Sequence, residues 1–117
     1  MVHSRRIKMA LGIEGISTNI FSWDNKESKE EDKVQIDLVL ERSDNIYSLL
    51  EIKYAPGGYT ITFAENERIL KRKRVFSEHV KNTMGVQTVL ITSNGVKNPN
   101  KADAINCFID SNALFVD

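Results

Sequence analysis

Much of what would mark a secreted, zinc-bound or membrane-embedded protein is missing from this sequence. A single cysteine, Cys107, stands among 117 residues. That excludes an intramolecular disulfide, and with only His3 and His79 to add it offers no zinc spacing. The apolar neighbours of Cys107 (Ile105, Phe108, Ile109) read as the setting of a buried structural thiol. No apolar run approaches the roughly 18 to 20 residues of a membrane span, and no signal peptide opens the sequence, so the cytoplasm is the expected compartment. Lys plus Arg and Asp plus Glu both number 16, which leaves no global field to hold a polyanion. There is no internal repeat, no linker long enough to divide the chain, and no Gly-x-x-x-x-Gly-Lys-Ser/Thr phosphate loop. With 41% hydrophobic and 27% charged residues, the chain can bury one modest core, as a single domain over residues 1–117.

What is present reads as strands between helices. Ser4 to Leu11 is a short helix, closed by Gly12 in the left-handed position. Ile16 to Trp23 is β-prone, and the polar run Asp24 to Lys33 reads as a mobile hairpin tip. Val34 to Glu41 and Tyr47 to Lys53 are strands joined by Ser43-Asp44-Asn45, whose short polar side chains favour a turn. After Ala55-Pro56-Gly57-Gly58 and a short extended piece, Tyr59 to Phe63, a long helix is expected over about Ala64 to Asn82. Its apolar stripe is Ile69, Phe76 and Val80, widened by Leu70. Val86 to Thr92 reads as a central strand with both faces covered. Asn98-Pro99 opens a last helix through Phe108, and Ala113 to Val116 adds an edge strand. The expected class is α/β (α+β), with a central mixed sheet of four to five strands flanked by helices in the order α-β-β-β-α-β.

Two of these strands carry charge where apolar residues dominate. Glu51 and Lys53 are two apart, so they share one face of the strand while Leu50 and Ile52 take the other. Asp37 sits among the apolar residues of the preceding strand. Charges in a packed sheet are costly unless paired or bound to metal. Two carboxylates beside a lysine suit a magnesium-dependent phosphodiester hydrolase: the carboxylates hold a hard cation through oxygen, and the lysine orients or activates a water. The competing explanation is a buried salt bridge with Lys53 neutralising one acid. Tyr54, next along, points away from the acidic face and is expected in the core.

Gln35-Ile36-Asp37, a turn, and Glu51-Ile52-Lys53 together resemble the active-site signature of the PD-(D/E)XK (restriction-endonuclease-like) nuclease superfamily. The wording His3 to Ile13, then ISTNIFSW, VQIDLVLERSDNIYSLLEIKYA and VQTVLITSNGV, resembles the C-terminal nuclease-like domain of prokaryotic AAA-type ATPases over nearly the whole chain. The resemblance implies a metal-dependent DNA endonuclease-like domain associated with an ATPase system. Asp37 and Glu51 would ligate Mg2+ or Mn2+, with the Ile52 carbonyl completing the shell, and Lys53 would favour the attacking hydroxide. Nearest oxygens of the two acids should then lie roughly 4 to 5 Å apart. An additional acid on the first helix is common in such nucleases. Here the chain begins too late to include it, and Glu14 takes its place only if the loop beyond Gly12 folds back.

Arg68, Lys71, Arg72, Lys73, Arg74 and Lys81 cluster in the long helix. They read either as a phosphate-binding stripe for DNA or as a solvated face whose stems cover apolar neighbours. The alternative function is a catalytically inactive module of nuclease fold. It would dock an ATPase or another protein partner, or form a homodimer.

Overall fold

Ser4–Leu11 forms helix α1 and ends at Gly12, whose φ of 70° is the left-handed conformation the sequence requires there. Strands β1 (Thr18–Asp24), β2 (Gln35–Arg42) and β3 (Ile46–Lys53) follow, then helix α2 (Phe63–His79) and strands β4 (Gly85–Thr92) and β5 (Cys107–Asp110). The computed structural model describes residues 4–25, 33–80 and 85–111. The expected hairpin tip therefore lies mostly outside the described residues, as does the edge strand expected at Ala113 to Val116.

The five strands lie in the order β1-β2-β3-β4-β5, giving an α+β fold with a mixed sheet flanked by helices. β1, β2 and β3 are antiparallel, whereas β4 and β5 run parallel to β3. The β2–β3 turn contains Asn45 at φ 66°, a position that asparagine tolerates better than most side chains. α2 makes the long connection that a parallel β3–β4 pair needs. Among the described residues, no helix is long and apolar enough to cross a membrane.

Alternation along the strands sends apolar side chains to both faces. Leu40, Leu50, Val89 and Ile91 pack with Ile7 and Ile13 on the α1 side. On the other side Ile36, Val39 and Leu49 pack with Phe76 of α2, and Leu90 packs with Ile69. β4 is thus covered on both faces, as its unbroken apolar run predicts. Leu50 is buried at 4% exposure, so Leu50→Ala should destabilise by about 2 to 5 kcal/mol, read as a lower urea midpoint.

Three expectations need correction. The segment from Asn98 is not a helix to Phe108: it makes one 3-10 turn, Pro99–Lys101, and then enters β5. Asn98 leaves that turn uncapped because its amide is spent on Ile61, accepting from the backbone N–H at 3.0 Å and donating to the carbonyl at 2.9 Å. Ala102, Ala104 and Ile105 then bury against Ile61 and Ile69 as irregular chain. Tyr54 is 66% exposed rather than in the core, because β3 ends at Lys53 and releases it. Leu70 lies on the outer side of α2 and does not widen the stripe formed by Ile69, Val75 and Phe76. Cys107 is half-buried against the α1-side core.

Candidate functional site

Glu51 projects towards α2, since its neighbours Leu50 and Ile52 pack on the α1 side. There it pairs with Arg72. Lys53, on the same face, lies 3.6 Å from Glu65 and with its ammonium 5.9 Å from the centre of the Tyr59 ring. Tyr59 donates its phenolic hydrogen to Glu65, and Arg68 reaches the other Glu65 oxygen at 3.9 Å. The end of β3, the Tyr59 segment and the first three turns of α2 therefore converge on one group: Glu51, Lys53, Tyr59, Glu65, Arg68 and Arg72.

Local chemistry fixes each contributor. Thr62 is the N-cap of α2 and accepts from the Glu65 N–H at 3.1 Å, which starts the helix where Glu65 faces Lys53. Tyr59 is tied to the end of β4, its N–H donating to Gly95 at 2.9 Å and its carbonyl accepting from Lys97 at 2.8 Å. Asn66, buried in the first turns of α2, donates to Asp103 and accepts from the Ala104 N–H at 3.0 Å. Both of these side-chain partners lie on the chain leading into β5, so the helix start is held against the sheet. β2–β3 pairing reaches Leu38–Leu50 and goes no further, so the β2 side of Glu51, Ile52 and Lys53 has no ladder. Ile52 itself is paired only across to Ile91 of β4.

Asp37 does not join this group. Phe21 pairs with Val39 but Trp23 pairs with Ile36, so Asp37 and Leu38 together oppose Ser22 in a β-bulge. The bulge keeps Ile36 and Val39 both under α2 and turns Leu38 to the α1 side. Asp37, next to Ile36, is directed away from α2, is exposed, and accepts from the Gln35 side chain at 3.3 Å. The extra residue thus puts the two acids of the expected pair on opposite faces. Glu14 is exposed in the turn after α1, between Ile13 and Ile16 of the α1-side core. Among the described residues, no three His, Cys, Asp or Glu side chains gather as a metal cluster.

The basic residues of α2 diverge rather than forming a stripe. Arg68 and Arg72, one turn apart, face the acidic group. Lys73 donates to Asn106 at 2.8 Å, and Arg74 lies 3.4 Å from Glu78. Lys71 is half-buried, and Lys81 lies outside the described residues. Periodicity alone does not single out Glu65 or Tyr59. Thr62-x-x-Glu65 is a capping signature, and it marks Glu65 as a residue of a helix start.

Burial, then the hydrogen bond to Glu65 and the negative charge of Glu65, push the Tyr59 phenol well above its ordinary range. A tyrosine that holds its proton more tightly when folded adds stability that is fully present below about pH 10. That stability is lost as pH rises towards the folded value. Tyr59→Phe should therefore be less stable at neutral pH by about 1 kcal/mol and should lose less stability between pH 9 and about 11. Denaturant melts across that range provide the check, and equal alkaline slopes in the two proteins would contradict it.

No protein-family model and no curated protein matches this chain. Among solved structures it is similar to the crystal structure of a protein of unknown function, AF1548, at 16% identity and a TM-score of 0.52, over 89% of this chain. The match spans 53% of that chain, about half its length. The likeness shows the shared fold: a mixed sheet between helices.

Proposed function

We propose that this chain is a metal-dependent DNA endonuclease-like domain of PD-(D/E)XK type, hydrolysing phosphodiester bonds in the cytoplasm alongside an ATPase. The observation that carries the reading is the convergence of Glu51 and Lys53 with Glu65 on the α2 face, beside Arg68 and Arg72. The link to an ATPase rests on the sequence resemblance alone.

The donor set suits a hard cation. Magnesium keeps several waters and needs only one or two carboxylates from the protein, and Glu51 and Glu65 supply two on one face. In this reading Glu51 and Glu65 hold Mg2+ or Mn2+, in place of the Asp37–Glu51 pair expected from the sequence. Bound there, the ion would supply a more acidic water and charge stabilisation at phosphorus. Lys53 places a positive charge where the attacking hydroxide and the developing phosphoryl charge would lie. Arg68 and Arg72 neutralise the two carboxylates in the absence of metal and become available to phosphate oxygens once it binds.

Plasmid DNA incubated with the purified chain tests this directly. Nicking or linearisation is expected with magnesium or manganese and none in EDTA. No cleavage with either metal at low salt would remove the reading. One observation favours a second reading, the inactive docking or homodimer-forming module. Arg72, Lys53 and Arg68 already satisfy both carboxylates, and Asp37 stands apart. A chain that cleaves nothing, yet sediments as a stable dimer, would establish that alternative.

A further inference from the structure

Thr88 is the one described residue with a buried side-chain polar atom lacking a partner. Its side chain is 1% exposed in β4. Asn106 takes both of its backbone groups: Asn106 Oδ1 accepts from the Thr88 N–H at 2.8 Å, and the Asn106 N–H donates to the Thr88 carbonyl at 2.9 Å. The hydroxyl is left over, and a buried hydroxyl with no partner is costly. Beside it lies a cavity of about 10 Å³ whose wall includes Thr88, Glu51, Arg72 and the apolar side chains of Leu49 and Ile69. That is the space one water requires, and too little for two. Most of the wall is apolar, but Thr88, Glu51 and Arg72 bring polar groups to it, whereas a wholly apolar cavity of this size would stay dry.

We propose that this cavity holds one ordered water, bonded to Thr88 Oγ1 and donating to the Glu51 carboxylate, and that Thr88 is thereby a positioning residue for Glu51. Arg72 holds the carboxylate from the helix side, and the water holds it from beneath. Glu51 then keeps its aim when Arg72 turns to a phosphate. The positioning half of the inference rests on the metal-site reading above, but the water does not.

Three measurements on Thr88→Val and Thr88→Ser decide it. A crystal structure should show a density peak within hydrogen-bond reach of Thr88 Oγ1 that is lost in the valine variant and kept in the serine variant. An empty cavity overturns the proposal. Thermal melts give an independent sign. With a water present, Thr88→Val expels it, forfeits its hydrogen bonds and lowers Tm, whereas an orphaned hydroxyl would be relieved and Tm would rise. Finally, Mn2+ binding followed by electron paramagnetic resonance should weaken roughly tenfold in Thr88→Val and recover in Thr88→Ser, as for other residues that support a metal ligand. Unchanged Mn2+ affinity alongside a bound water overturns the positioning role. If the wild-type chain binds no Mn2+ at all, the metal-site reading and the positioning role fall together, while the density and the melts still decide the water.

Discussion

Truncating Phe76 to alanine is expected to cost about 3 to 5 kcal/mol, the largest stability loss from a single side chain in this fold. Phe76 is 1% exposed and joins α2 to the sheet. The rings of Trp23 and Tyr47 meet it edge-on, each with centroids 5.1 Å away. Alanine removes the ring from under both and leaves a cavity that β1, β2 and β3 cannot close without moving. Edge-to-face pairs add about 0.5 to 1.5 kcal/mol beyond the area they bury. Domains of this size are stable by about 5 to 15 kcal/mol, so the variant should lose a large share of the total. Urea unfolding followed by the single tryptophan, Trp23, gives the value, with the slope expected to stay constant. Phe76→Leu should recover most of it. A loss under 1 kcal/mol for alanine would mean that α2 is not seated on these rings.

The second large effect concerns chemistry. If the proposed nuclease reading holds, Glu51→Gln and Lys53→Ala should each reduce metal-dependent plasmid cleavage by about 100-fold or more, since in that reading each removes a group acting directly on the reacting atoms. Glu65→Gln should do likewise, while Asp37→Ala should stay within a few-fold of wild type because Asp37 lies across the sheet from the site. This contrast separates the site assembled in the structure from the one that Gln-Ile-Asp and Glu-Ile-Lys spell out. If Asp37→Ala abolishes cleavage and Glu65→Gln spares it, the working site uses the sequence-defined pair, and the bulge must rearrange to form it. Melting curves of each variant must first show an intact fold. Glu51→Gln keeps the shape of the side chain but removes the negative charge that pairs with Arg72.

Binding is the companion measurement. Arg72 faces the site and Arg74 the solvent beside Glu78. In the proposed reading, neutralising Arg72 should weaken DNA binding more than neutralising Arg74, and both effects should shrink as salt rises.

Strand and helix existence could be read from periodicity because each core segment repeats its apolar residues over several turns or pleats. Val86 to Thr92 and Tyr47 to Lys53 are read almost to the residue, and so is the turn at Asn45. Two other features could not be read that way. A bulge adds one residue without altering composition, so nothing between Gln35 and Leu40 announces that Asp37 and Leu38 share one partner. The approach of Asp37 to Glu51 depends on that single insertion, since strand alternation propagates any slip to the other side. The segment after Asn98 misled for a different reason. Proline at an apparent helix start is a good signal when the preceding side chain caps the turn, but here that asparagine reaches 37 residues back to Ile61. Long-range demands of this kind leave no local trace. Glu65 shows the reverse: its capping pattern was legible, but its proximity to Lys53 depends on how α2 crosses the end of β3.

The order of the sheet bears on how the molecule is made. Each strand lies beside the strands that precede and follow it along the chain. A ribosome therefore releases them in the sequence in which they pair, and no early strand must hold a gap open for a later one. The first three strands can zip together as a meander through short-range closures while α2 is still being synthesised. β4 and β5 then add to a growing edge. The slow event should be the first parallel docking, of β4 on β3 across the whole of α2, since that closure spans the longest stretch of chain between neighbouring strands. Until it happens, Thr88 has not arrived beneath Glu51. The site would be the last part of the domain to mature.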